Sequence, residues 1–324
     1  MTKVFMDTEN TLFETRLNYP DPGAMKRFAA LVGLDEAKER LTKSLGILIN
    51  PDGLHKWQLN FHRNAVSIVD YVARRPPLVI LAGDVGTGKT ELATTVGDAV
   101  ARQEGVEVTL LPLSLSTRGS GKVGEMTQLL SAAFEETFLI AERLKNGSRS
   151  RGAVVLHVDE ADAVVQSRES AQMHHEDRAG VNAFIRGIDR LANQAGPAAV
   201  IMCTNRLSSI DPAVQRRAAE IIQLERPNEE QRLAVLRKPL EQIGFTEPQI
   251  GEIVKVTGTR PHIGYGMTYS DLTQRLMPSL VIDAYPSRRI EFARALEIAT
   301  AIVPTPIFLD ANSHDGEQSK KAVA

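Results

Sequence analysis

The sequence holds one cysteine, Cys203, in 324 residues. It can therefore form no internal disulfide and no zinc site built from several cysteines. It has no run of about 18 apolar residues of the kind that spans a bilayer. Its opening stretch, MTKVFMDTENTLFETRL, lacks the charged-then-apolar order of a secretory signal. It also lacks a surplus of either charge, since 38 Lys and Arg against 40 Asp and Glu leave −2. That balance argues against nucleic acid as the direct substrate, although a local basic patch could still bind it. These absences predict a cytoplasmic protein with no membrane partner. What is present, 43% apolar and 24% charged residues, is the composition of a globular protein of about two ordinary domains, with a core large enough to fold without staples.

The chain pattern alternates over its middle portion. Leu78–Ala82 (LVILA) is a short apolar run between Pro77 and Gly83, as expected of a parallel strand covered on both faces. Val106–Leu113, Ala153–Val158, Ala198–Cys203 and Glu220–Leu224 read as further strands. Between them, Lys89–Gln103, Val123–Leu144 and a segment around Gly180–Ala192 carry apolar residues at helical spacing. Leu34, Ala37, Leu41 and Leu45 predict a helix ahead of the first strand, and residues 50–76 read as a loop and one helix. Alternation of this kind predicts an α/β fold, a five-stranded parallel sheet between helices with right-handed crossovers. After Pro227 the strands stop, and Glu229–Gln242, Thr246–Val256, Thr268–Ala284 and Ser287–Ile302 all read as helical. The expected organisation is a short N-terminal arm (1–29), a large α/β domain (30–225), a small all-helical domain (226–309) and a polar tail (310–324) expected to be disordered.

Gly83-Asp84-Val85-Gly86-Thr87-Gly88-Lys89-Thr90 fits the eight-position phosphate-loop pattern, with an apolar strand before it and an amphipathic helix after it. Glycines let the backbone curl so that several N–H groups face one anion, and the helix N-terminus adds its positive end. Lys89 can reach the β- and γ-phosphates of ATP, and the Thr90 hydroxyl can hold Mg²⁺. The third strand runs into Asp159 and Glu160. Two adjacent carboxylates at a buried strand end are costly unless something uses them: Asp159 as a Mg²⁺ ligand, Glu160 as the base that orients and deprotonates an attacking water. Each could instead serve as a helix-opening acid, but the phosphate loop upstream favours the catalytic pair. Asn205, at the end of the fourth strand, can contact the γ-phosphate or the attacking water. Arg216 and Arg217 close a short segment capped by Asp211 and Pro212. They read either as a solvated pair or as an arginine finger that completes a neighbouring subunit's site.

Together these residues resemble the AAA+ ATPases over about residues 30–300. Leu31–Lys38 is similar to the family's opening segment, so Val32 and Gly33 are implied beside the adenine. Gly83–Thr90 and Val155–Glu160 are similar to its Walker A and Walker B segments, Asn205 to sensor 1, and Arg216 and Arg217 to its arginine fingers. The helical remainder resembles its lid, and Arg275 stands in for an unclear sensor 2. A narrower resemblance, on Asp177–Asp189 and Asp211–Arg217, is to the pachytene-checkpoint ATPases. It implies a hexamer that remodels HORMA-domain proteins, and, in bacterial relatives of CBASS anti-phage operons, restrains signalling. Two departures stand out. Asp84-Val85 replaces the Pro-Pro of many relatives, and the expected pore loop, Ser116–Val123, has no aromatic. A DNA-linked motor, kept open by Arg118 and Lys122, and a slow nucleotide-gated scaffold or protease-feeding unfoldase remain as alternatives. His174–Asp177 reads as a polar loop rather than a metal site, and Trp57 with Phe61 as a packing pair.

Overall fold

The computed structural model describes residues 12–62, 66–114, 125–146, 149–165, 175–193 and 196–307. Strand β1 (Leu17–Tyr19) is followed by helices α1 (Pro22–Ala30), α2 (Asp35–Ile49), α3 (Pro51–Phe61) and α4 (Ser67–Ala73). Next come β2 (Leu78–Gly83), α5 (Lys89–Glu104), β3 (Glu107–Pro112), α6 (Glu125–Leu144) and a two-residue hairpin, β4 (Lys145–Asn146) with β5 (Arg149–Ser150). Then follow β6 (Gly152–Val158), α7 (His175–Asn193), β7 (Ala198–Thr204), α8 (Pro212–Gln215) and β8 (Glu220–Leu224). The rest is helical: α9 (Glu229–Gln242), α10 (Glu247–Val256), a wide π turn Asp271–Leu276 leading into α11 (Met277–Ala284), and α12 (Phe292–Ala301).

The main sheet has six strands in the order β1-β3-β6-β7-β2-β8. The last five are parallel, and β1 is antiparallel to β3, with Leu17 opposite Leu110. The expected five-stranded parallel sheet is thus extended by one edge strand from the N-terminal segment. Three residues carry too little periodicity to show as a strand in the sequence. Tyr19 holds the strand in place: it is 3% exposed, its hydroxyl donates to the Thr94 carbonyl, and its ring lies where a side chain at Gly97 would be. Asp21 then caps α1 through the Ala24 N–H (2.7 Å), while its own N–H donates to buried Asp98 (2.7 Å).

Every residue of β2, β6 and β7 is buried, as continuous apolar strands require when helices cover both faces. Leu78, Ile80, Leu111, Val154, Leu156, Val158, Ala198, Val200 and Met202 form the sheet's share of a core that also takes Leu130 and Phe134 of α6 and Phe184 of α7. Phe134 and Phe184 meet edge to face at 5.3 Å. Each such side chain contributes about 1.5–3 kcal/mol on burial.

The segment 50–76 holds two helices rather than one. Asn50 accepts from the Gly53 N–H (3.2 Å) with Pro51 in the first turn, an N-terminal signal in which proline costs no hydrogen bond. Trp57 and Phe61 do pair, at 6.4 Å, but on the surface, 44% and 73% exposed.

The chain divides into two compact units. One runs through the sheet and its helices to Leu224; the other starts at Glu225 and also takes the loop Asp84–Gly88. The second unit has its own core, with Leu236, Leu240, Ile250, Ile253, Leu272, Leu276 and Ala299. Asn228 and Gln231 form a reciprocal capping box on α9. The sequence pattern predicts one helix over Thr268–Ala284. The structure widens it at Asp271–Leu276, immediately ahead of the turn that holds Pro278.

Candidate nucleotide site

The parallel register brings three strand ends to the carboxyl edge of the sheet, where open α/β sheets bind ligands. Ala82 pairs with Thr204 and Val158 with Met202, so β2, β6 and β7 end side by side. At this edge Thr90 Oγ1 donates to Asp159 Oδ2 at 2.7 Å. The hydroxyl of the phosphate-loop helix and the first carboxylate after β6, 69 residues apart in sequence, are in direct contact. Both are hard oxygen donors with lone pairs to spare, which fits Mg²⁺ held through few protein ligands and several waters.

Asp159 Oδ1 also accepts from the Glu160 N–H at 2.8 Å. Glu160 is exposed and has φ 47, the only positive φ at a non-glycine among the described residues. A glutamate held there costs about 1–3 kcal/mol. Behind the pair, Asp162 Oδ1 accepts from Thr204 Oγ1 (3.2 Å) and from the Asn205 N–H (3.4 Å). Asp162, not foreseen from the sequence, ties the end of β7 to the turn after β6 and so orients Asn205. The only trace of it in the sequence is a third acid two residues beyond Glu160.

Lys89 is 6% exposed, and its Nζ donates to the Gly83 carbonyl at 2.8 Å. The ammonium is thereby held at the end of β2. Within the loop, Thr87 Oγ1 donates to the Asp84 carbonyl (2.8 Å). Gly86 has φ +79 and lies so close to Thr268 and Ser270 that a Cβ would be 2.7 Å from Thr268 Oγ1; the Ser270 N–H donates to its carbonyl at 3.0 Å. Only glycine fits both the dihedral and the space. Gly83 and Gly88 also have positive φ, and Val85 is exposed.

His157 and Cys203 lie under the same edge, with Nε2 and Sγ 3.6 Å apart. Burial lowers the histidine pKa and raises the thiol well above its usual range. Both are neutral core groups, and Cys203 is inert, since reactivity needs the thiolate. Ligand atoms of His157, Asp159 and Cys203 fall within 4.8 Å of one another, a cluster that no spacing in the sequence announces.

The two arginines differ. Arg217 makes a two-pronged pair with Asp189, Nε–Oδ1 2.7 Å and Nη2–Oδ2 3.0 Å, and its Nη1 donates to the Ala213 carbonyl. Arg216 is exposed, with a 3.3 Å contact from Nε to the Pro212 carbonyl. Val32 is exposed, and Gly33, at φ 79, turns the chain into α2. Arg275 donates to Asp271 Oδ1 (2.6 Å) and the Val303 carbonyl (2.9 Å), partners inside the helical unit. The expected pore loop Ser116–Val123 lies outside the described residues, as do His174 and the tail 310–324.

The family description "ATPase family associated with various cellular activities (AAA)" matches residues 79–226. The CD-NTase-associated protein 6 of Escherichia coli strain MS 115-1 is 59% identical over 300 residues, 92% of this chain and 96% of that protein. The chain belongs to the AAA ATPase family. This AAA protein also superposes on a chain of the E. coli MS115-1 HORMA:CdnC:Trip13 complex with TM-score 0.86 and 58% identity, covering 92% of this chain and 98% of that one. A Rhizobiales Trip13 gives TM-score 0.72 and 55% identity, over 91% and 99%. No helix among the described residues of the AAA protein is long and apolar enough to cross a membrane.

Proposed function

We propose that this AAA protein hydrolyses ATP in a homohexameric ring and uses the cycle to remodel a HORMA-domain protein complex, restraining a CBASS-type anti-phage response. The observation that carries the hydrolytic part is the Thr90–Asp159 contact at 2.7 Å with Glu160 next in the chain. Gly83–Thr90 hold the phosphates with backbone N–H groups and the Lys89 ammonium. Thr90 and Asp159 hold Mg²⁺, which when bound neutralises charge on the β- and γ-phosphates. Glu160 takes a proton from the attacking water as its oxygen bonds to the γ-phosphorus. The bond from the γ-phosphorus to the β–γ bridging oxygen breaks, leaving ADP and phosphate. Asn205, held through its backbone by Asp162, positions the water or the γ-phosphate. Val32 and Gly33 border the base.

Of the two finger candidates, Arg216 is the better placed to act on a neighbour, because it is exposed while Arg217 is committed to Asp189. A guanidinium clamped by two carboxylate oxygens must first break that pair to reach another subunit's phosphate. Residues 226–309 act as the lid, and the ring works in the cytoplasm. The partner rests on similarity: the relative in the HORMA:CdnC:Trip13 complex is 58% identical over nearly the whole chain.

The test is ATP turnover alone, with a HORMA-domain protein, and with DNA, together with capture by the Glu160→Gln form. Stimulation by the HORMA protein, and its retention by the hydrolysis-dead ring in ATP, support the reading. Stimulation by DNA alone would replace it with the nucleic-acid motor.

A further inference from the structure

The phosphate loop carries an acidic residue at its second position, which by simple electrostatics opposes a triphosphate. The structure supplies its counter-charge. Arg226, two residues after β8, donates from Nε to Asp84 Oδ2 at 2.8 Å, and the two side chains are only 14% and 17% exposed. The same guanidinium donates from Nη1 to the carbonyls of Gly266 (2.9 Å) and Thr305 (2.8 Å) and lies 4.7 Å from the centre of the Tyr265 ring. Its Nη2 is buried without a hydrogen-bond partner among the described residues. An arginine this enclosed is stable only while a carboxylate faces it, because an uncompensated buried charge is expensive.

The contact is also mechanically central. The loop's next glycine, Gly86, is gripped by the Ser270 N–H and by Thr268. Thr268 and Thr305 both hydrogen-bond Asp271. Arg226 therefore joins Asp84 of the phosphate loop, Gly266 ahead of the π segment and Thr305 after α12 at one point.

We infer that Arg226 is a positioning residue for nucleotide binding, which cancels the Asp84 charge and fixes the phosphate loop on the helical unit. The inference rests on the ATPase reading above. Arg226 touches no phosphate; it acts through Asp84. Removing it takes this counter-charge away from the Asp84 carboxylate, so the loss falls on affinity more than on turnover at saturation. Removing Asp84's charge as well relieves the repulsion.

The experiment measures ATP and ADP affinity by titration with a fluorescent nucleotide, and KM and kcat for ATP, in the full-length chain. Arg226→Ala is expected to weaken ATP about tenfold, the equivalent of one decade in Kd, with kcat changed far less. Adding Asp84→Asn to Arg226→Ala is expected to recover most of that affinity. Arg226→Lys, which keeps the charge without the fork, should fall between wild type and Arg226→Ala and carries the test if the alanine form folds poorly. Wild-type affinity in both single variants overturns the inference. So does a double variant no better than Arg226→Ala, because a purely structural arginine would not be rescued by neutralising its partner. A wild-type chain that binds no ATP overturns the ATPase reading and this inference together.

Discussion

Asp159 and Asp271 are both carboxylates placed by regular structure, and they are used in opposite ways. Asp159, at the end of β6, accepts one hydroxyl and one N–H, from Thr90 and Glu160, and remains partly open to solvent. Asp271, in the helical unit, is fully buried and accepts from two backbone N–H groups, the Thr305 hydroxyl and the Arg275 guanidinium. Burial alone would raise its pKa, but these donors outweigh it and hold the group at about 2. A carboxylate with lone pairs to spare at a strand tip is ready for a ligand. One whose oxygens are all engaged is a structural knot. The difference separates the chemistry of the sheet edge from the architecture of the helical unit.

This contrast is most open to disproof at the sheet edge. If Arg216 is the group lent to a neighbour, Arg216→Ala should lower ATP turnover by about a thousandfold with nucleotide binding retained. Arg217→Ala, which releases Asp189 and the Ala213 carbonyl, should lose far less; the reverse ranking in a phosphate-release assay would exchange their roles. Next in size, Glu160→Gln should lower kcat by about a hundredfold or more while ATP still binds, and unchanged turnover would contradict the assignment of the base. In the helical unit the effects should appear in stability. Asp271→Asn is expected to cost about 2–3 kcal/mol in a denaturant titration, since buried donors lose a charged acceptor. The smallest effect is acid dependence. A carboxylate at about 2 in the folded chain, against an ordinary 3.8, adds stability that is present above about pH 4 and drains away as pH falls through about 2. Melting temperatures measured from pH 5 to pH 2 should fall more steeply for wild type than for Asp271→Asn, and equal slopes would remove Asp271 as the cause.

Much of the sheet is legible in the sequence because continuous apolar runs such as LVILA and AVVLHV have few other meanings. The family is legible because a phosphate loop, paired acids and an arginine pair occur in one order. The sixth strand is not, because β1 is three residues long and owes its place to one tyrosine against Gly97. Nor is the π turn, because Thr268–Ala284 carries the same apolar spacing as an unbroken helix. Asp162 and Arg226 are invisible for a further reason. Each works through a contact with a residue distant in sequence, Arg226 being 142 positions from Asp84, and a single sequence does not encode such pairing. The acidic second position of the phosphate loop stands out in the sequence as a departure, but its counter-charge can be found only in three dimensions.

A site completed by a neighbour can be tested by mixing two inactive forms. Glu160→Gln subunits lack the base but keep Arg216, while Arg216→Ala subunits lack the finger but keep Glu160. Each alone should turn over little ATP. Combined and allowed to exchange, they should form interfaces that pair an intact Glu160 with an intact Arg216 and regain a substantial fraction of wild-type turnover. A mixture that stays as inactive as its components, in subunits shown to co-assemble, would contradict hydrolysis at a shared seam.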